Sequence, residues 1–333
     1  DPLAGLGSIA DRTYNPAFPM AQWYWVADKL GVPDWVAQRL WLGTLLFVAG
    51  LGVARLVRAL GWTTRTWVSG AVAYAVTPYL LDSFGSHSVA LLAWAALPWM
   101  CAETVLLLRT ANSGPAARLA LIFSISASGH LPSTLYALVG PLLWVVYATA
   151  ATREVPPLVA LKRVAKAGAI GLAASAWLVV TLIVDPGRLL DDLRALFGQR
   201  LSGIRALDAL RSVGAPATSI QGAGQLIHTR PAMIVLSYLP VAVALVALAK
   251  VRFRYRFYAV ALLVAGLILS GGTAPVESAQ PYSRVLGRVL GSRLGSLLQP
   301  TERALPLVGL AIALGVTAAA HELGRSRRSR DAF

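Results

Sequence analysis

His87 in DSFGSHS, His130 in SASGHLPS and His228 in QLIHTRP are three of the four histidines in this sequence, and each stands at or beside the end of an apolar run. A histidine in such a place caps or anchors a helix, or it carries a proton near neutral pH. Asp1 and Asp11 lie in a polar opening stretch, where a carboxylate could act as general base toward a sugar hydroxyl. Arg12, Tyr14 and Asn15 give the same stretch a polar face beside Trp23, Tyr24, Trp25 and Trp35. Aromatics of this kind form an interfacial belt, and with a few polar groups they also suit sugar rings. Glu302 and Arg303 form an adjacent charged pair in QPTERALPL. They make either a local salt bridge or an arginine aimed at phosphate and oriented by its acid. Arg188 and Arg230 add planar forks of donors suited to a phosphate, and they could equally anchor the chain to anionic lipid. Asp34 in VPDW reads as a helix cap.

Other chemistry lacks its motifs. There is no Walker loop, no GxGxxG between strand and helix, and no HExxH. That disfavours a soluble-nucleotide donor or a zinc protease. The single cysteine, Cys101, lies in an apolar run and allows no internal disulfide.

The elements that must position these residues are membrane spans. Of 333 residues, 56% are hydrophobic and 14% charged, with mean hydropathy +0.63; a soluble chain carries about 25% charged residues. Apolar runs predict spans at 37–58, 67–82, 88–108, 118–129, 134–150, 167–184, 232–249, 257–271 and 304–320. The pair 118–129 and 134–150 is interrupted by Gly129, His130 and Pro132, so one long kinked helix is the alternative. The fold class expected is an all-α polytopic membrane protein, a multi-span helical bundle with external amphipathic helices.

The net charge of +15 points to membrane topology rather than nucleic acid. Arg55, Arg58, Arg65, Arg109, Arg118, Arg153, Lys162, Arg163, Lys166, Lys250, Arg252, Arg254, Arg256 and the basic tail fall between spans on one side. That side is expected to be cytoplasmic. Counting the interrupted pair as two spans lets nine crossings alternate consistently. The division predicted is an external membrane-facing loop over 1–36, a transmembrane bundle over 37–320 and a basic cytoplasmic tail over 321–333. Amphipathic helices near 188–212 and 283–299 are expected to lie in the external headgroup plane against anionic lipid.

The segment from Asp1–Pro2 to Phe18–Pro19–Met20, and GVPDWVAQRLWLG at 31–43, resemble the membrane domain of actinobacterial α-(1→3)-arabinofuranosyltransferases of the AftD type. AYAVTPYLLD at 73–82, WAALPWM at 94–100 and RALPLVGLAIALG at 303–315 resemble the same family in the same order. The resemblance implies a GT-C glycosyltransferase bundle in the plasma membrane with an extracytoplasmic active face. It further implies decaprenylphosphoryl arabinose as donor, arabinan of the cell envelope as acceptor, and an acid as base, with no certain cofactor and the need for a divalent ion open. In such enzymes the catalytic acid follows the first span, so that span and the principal Asp are expected upstream of Asp1. Two other classes remain open: a lipid-intermediate flippase or transporter, which would favour ionisable groups near the midplane, and a non-catalytic scaffold of envelope assembly.

Overall fold

The computed structural model describes residues 18–62, 66–83, 88–110, 112–177, 180, 204, 206–214, 223–271 and 301–330. Their regular structure is helical, with no strand among them. The helices are α1 (Met20–Lys29), α2 (Asp34–Ala59), α3 (Trp67–Ala75), α4 (Pro78–Ser83), α5 (Leu91–Arg109) and α6 (Gly114–Val146, continued by a π turn Tyr147–Ala151). They continue with α7 (Pro157–Ala174), α8 (Ala206–Leu210), α9 (Ala223–Thr229), α10 (Pro231–Lys250), α11 (Arg256–Ser270), a 3₁₀ turn (Thr301–Ala304) and α12 (Leu305–Arg330). The protein is a polytopic α-helical membrane protein: α2, α5, α6, α10 and α12 are each long and apolar enough to cross a bilayer.

The most informative element is α6. It is assigned as one helix, but His130 at φ −156°, ψ 88° breaks it. Ser126 and Thr134 hydroxyls meet at 2.7 Å, although eight residues of continuous helix would separate them by about 12 Å. The chain therefore folds back at His130. Contacts with α5 confirm the reversal. Arg118 reaches Glu103, and Gly129 lies beside Leu92, so the first arm runs antiparallel to α5. Gly140 faces Leu97 and Cys101, and the second arm descends beside α5 in the same sense. The interrupted pair is a hairpin of two arms. Gly129 allows the close approach, and Pro132 withholds a backbone N–H at the start of the second arm.

Several boundaries differ from the sequence reading; the last helix, expected to end at 320, runs on to Arg330 through residues read as a tail. The span expected at 67–82 is two helices, because Thr77 precedes Pro78 and is pushed out of the helical region. The helix found where a span was expected at 167–184 begins ten residues earlier, at Pro157. Lys162, Arg163 and Lys166 occupy its first turns, where Arg163 donates to the Leu108 carbonyl at 2.5 Å and Lys166 to Ser113 at 2.6 Å. The opening loop contains α1, pinned to α2 by the Trp23 indole donating to the Ala37 carbonyl at 3.0 Å. Pro33 rather than Asp34 is the N-cap of α2; Asp34 stands in the first turn, where its charge favours the helix dipole. The amphipathic helix expected near 283–299 lies outside the described residues, and of 188–212 only α8 and a few flanking residues are described.

One large cluster of basic residues, with Arg55, Arg109, Arg118, Arg163 and Arg254, gathers at one end of the bundle. Arg109 pairs with Glu154 at 3.2 Å and donates to the Ala59 carbonyl at 2.6 Å, and Arg254 joins Glu154 at 3.0 Å. The hairpin apex, the start of α2 and the 3₁₀ turn lie at the opposite end. Between them runs α12, whose residues from Leu305 to Leu314 are buried on all sides, as expected of a central helix. Lipid supplies no hydrophobic drive between helices, so close backbone approach through small residues matters more. A Cβ on Gly315 would stand 2.8 Å from the Cβ and 2.9 Å from the Cα of Ala244 in α10. Because α10 backbone cannot yield, Gly315→Leu should separate α10 from α12 at a cost of at least about 1–3 kcal/mol. Its thermal midpoint in detergent should fall clearly, whereas Gly324→Leu, with nothing within 4 Å, should match wild type.

Candidate functional site

The end opposite the Arg55, Arg109, Arg118 and Arg254 cluster carries the polar groups that could act on a substrate. His130 sits at the apex of α6 and is buried. Its Nδ1 accepts the Ser133 backbone N–H at 3.2 Å, three residues on, and the Thr134 hydroxyl donates to the His130 carbonyl at 3.0 Å. His130 thus caps the second arm, satisfying an N–H that the break in the helix would orphan. That is the capping alternative from the sequence, and it holds the ring in a fixed orientation.

One turn further along the same arm is Tyr136, whose hydroxyl interacts electrostatically with Arg303. Arg303 lies in the 3₁₀ turn, only 7% exposed. The turn packs against α6 and the end of α11, and the Thr301 hydroxyl donates to the Ser270 carbonyl at 2.9 Å. Glu302 is half-buried beside it. A buried arginine on a turn packed against α6 and α11 is a positive charge in a low-dielectric setting, which suits an anionic oxygen. The described part of the opening stretch meets this apex. The Phe18 carbonyl would lie 3.1 Å from a Cβ on Gly129, and the Ser88 hydroxyl donates to Met20 Sδ at 3.3 Å.

A second polar cluster stands at the same end. Arg211, 4% exposed, pairs with Asp208 at 2.6 Å, donates to the Ser237 hydroxyl at 3.1 Å, and stacks over Tyr238 at 5.3 Å. His228, near the end of α9, feels both charges. Burial lowers its pKa; Asp208 opposes that shift and Arg211 adds to it, so the ring stays neutral where a free histidine would begin to protonate. Its Nε2 is buried without a hydrogen-bond partner among the described residues. Arg230 is exposed at the N-cap of α10. Helix α9 packs on α4.

Of the residues singled out from sequence, the structure places His130, Arg303, His228 and Arg230 at the same end of the bundle. Asp1, Asp11, Arg12, Tyr14, Asn15, His87 and Arg188 lie outside the described residues. Tyr136 was not legible: a tyrosine inside an apolar run gives no signal until the fold brings it within the field of Arg303. The Asp208–Arg211 pair did have one, an acid and an arginine three residues apart on a helical pattern. Among the described residues, no three His, Cys, Asp or Glu side chains converge to hold a metal ion.

Comparison with known proteins identifies relatives of the chain. Residues 1–188 match the family described as Alpha-(1->3)-arabinofuranosyltransferase, N-terminal GT-C domain. An alpha-(1->3)-arabinofuranosyltransferase of Mycolicibacterium smegmatis is 33% identical over 141 residues, covering 41% of this chain and 10% of that protein. One of Mycobacterium tuberculosis is 38% identical over 104 residues, covering 31% of this chain and 7% of its own length. The chain thus matches no more than a tenth of the length of either relative. No solved structure matches it.

Proposed function

The chain belongs to the family of Alpha-(1->3)-arabinofuranosyltransferase N-terminal GT-C domains, and from that premise we propose that it is the membrane body of a transferase moving arabinofuranose from a polyprenyl-phosphate carrier to cell-envelope arabinan. The observation that carries the reading, beside the family, is the buried Arg303 at the end of the bundle remote from the basic cluster. If the basic end is cytoplasmic, as the Lys and Arg distribution implies, the hairpin apex faces outside. Decaprenylphosphoryl arabinose then presents its phosphate at the apex, with its tail between spans.

In the reaction the acceptor hydroxyl oxygen attacks the anomeric carbon, and the bond from that carbon to the phosphate oxygen breaks. The polyprenyl phosphate leaves with the electron pair. Arg303 and Arg12 are assigned to stabilise the charge growing on the phosphate, and Arg188 and Arg230 to support them. A carboxylate, Asp1 or Asp11 among this chain's residues, takes the hydroxyl proton. His87, His130 and His228, with Tyr14, Asn15 and Glu302, are assigned to substrate binding.

The reading is tested with the full-length protein in vesicles, given decaprenylphosphoryl arabinose and a synthetic arabinan oligosaccharide. A product longer by one arabinose in α-(1→3) linkage is expected. Movement of the carrier lipid across the vesicle without formation of a glycosidic bond would replace transferase with flippase.

A further inference from the structure

A lipid-facing groove runs between α2, α5 and the first arm of α6, with a cavity of about 440 Å³. Leu45 and Val48, Ala96 and Trp99, Leu121 and Ile125 line it. Two hydroxyls also reach it, and both are spent: Thr44 donates to the Leu40 carbonyl, and Ser126 is bonded to Thr134. The charged residues of its lining are Glu103 and Arg118, and both lie at the basic end.

Glu103 is wholly buried within α5. It receives Arg55 Nε at 2.6 Å and Arg118 Nε at 2.9 Å. The two arginines are 37% and 48% exposed, so the triad presents one net positive charge. A guanidinium has five N–H donors, and each arginine gives Glu103 its Nε. Arg118 Nη1 lies 3.2 Å from where a Cβ on Gly114 would stand. The guanidinium therefore reaches back toward the first residue of the arm, and so toward the headgroups.

From Glu103 to Leu92 the groove covers eleven residues of α5, about 16 Å of helix rise. That is close to one leaflet's share of a hydrocarbon core about 30 Å thick. We propose that this groove is a binding site for an anionic phospholipid of the leaflet at the basic end, with its phosphate on Arg118 and Arg55 and an acyl chain along the groove. A lipid carrying its phosphate at the apex would leave the charged end of the groove facing hydrocarbon. Charge placement therefore selects the phospholipid over a carrier-lipid tail.

The test uses the full-length protein reconstituted in nanodiscs of either dioleoyl phosphatidylglycerol or dioleoyl phosphatidylcholine, re-extracted in detergent and weighed by native mass spectrometry, with no sugar donor present. Wild type should retain phosphatidylglycerol at least tenfold better than phosphatidylcholine. Arg118→Gln should lose that preference. Ala96→Trp, which fills the groove and leaves every charge in place, should lose retention of both lipids. Arg118→Gln also removes a partner of a buried carboxylate; if that variant does not fold, Ala96→Trp decides the matter alone. Equal retention of the two lipids by wild type would mean a tail-only site. Retention unchanged in Ala96→Trp, displacement by decaprenyl phosphate at equal mole fraction, or displacement by millimolar inorganic phosphate would each overturn the proposal. Transfer activity does not enter the readout, so either result leaves the transferase reading as it stands.

Discussion

Arg303→Ala in the full-length protein is expected to lower the rate of arabinose transfer by about 100-fold or more, the usual loss when one preorganised donor to a developing negative charge is removed. The expectation comes from the setting of Arg303. It is buried in a 3₁₀ turn wedged between the second arm of α6 and the end of α11, with the Tyr136 hydroxyl within its field. Lysine keeps the charge but not the planar fork, so Arg303→Lys should recover only part of the rate. A merely structural arginine would instead show itself as lost protein and a lower thermal midpoint. The two roles are therefore separated by measuring kcat and KM on folded material with a matched midpoint: phosphate stabilisation lowers kcat, and simple carrier binding raises KM. Arg12→Ala is made in parallel. Unimpaired transfer in both variants would remove these residues from the site.

How far the sequence anticipated this arrangement depends on what local pattern can encode. The spans at 37–58, 88–108, 232–249 and 257–271 match helices to within three residues at each end, because long apolar runs flanked by Arg or Pro are local signals. The 118–150 region was ambiguous because Gly129, His130 and Pro132 permit either a kink or a reversal. Only the Ser126–Thr134 contact, a tertiary fact, decides it. Helix α7 was misplaced because its first turns carry Lys162, Arg163 and Lys166, which look like a loop until Arg163 is seen on the carbonyl end of α5. In the sequence Glu103 is simply an acid near the end of the 88–108 run. That two arginines from different helices converge on it follows from packing, which no local spacing reports. The opposite end was legible in residue types, a histidine at the apex and an arginine before the last span, but not in their partners.

Gly129→Val should separate the opening segment from the apex and reduce transfer at least about tenfold, with a fall in thermal midpoint. A Cβ at this position would stand 2.5 Å from Leu92 Cδ1, 3.1 Å from the Phe18 carbonyl oxygen and 3.4 Å from Val89 Cγ1. The tip of Leu92 can rotate away. The Phe18 oxygen is backbone, tied through Pro19 to α1, and α1 is pinned to α2 by Trp23. Overpacking of this kind costs about 1–3 kcal/mol, and here the strain falls on the contact between the opening segment and the hairpin. Gly168→Val is the control: it lies in α7 with nothing within 4 Å of its added Cβ, so it carries the same change of helix propensity without the clash. If both variants lose transfer equally, helix propensity explains the effect and the apex contact does not. If only Gly129→Val loses it, the approach of Phe18 to the hairpin is part of what assembles the site, and the arm capped by His130 serves as the platform on which the opening segment is held.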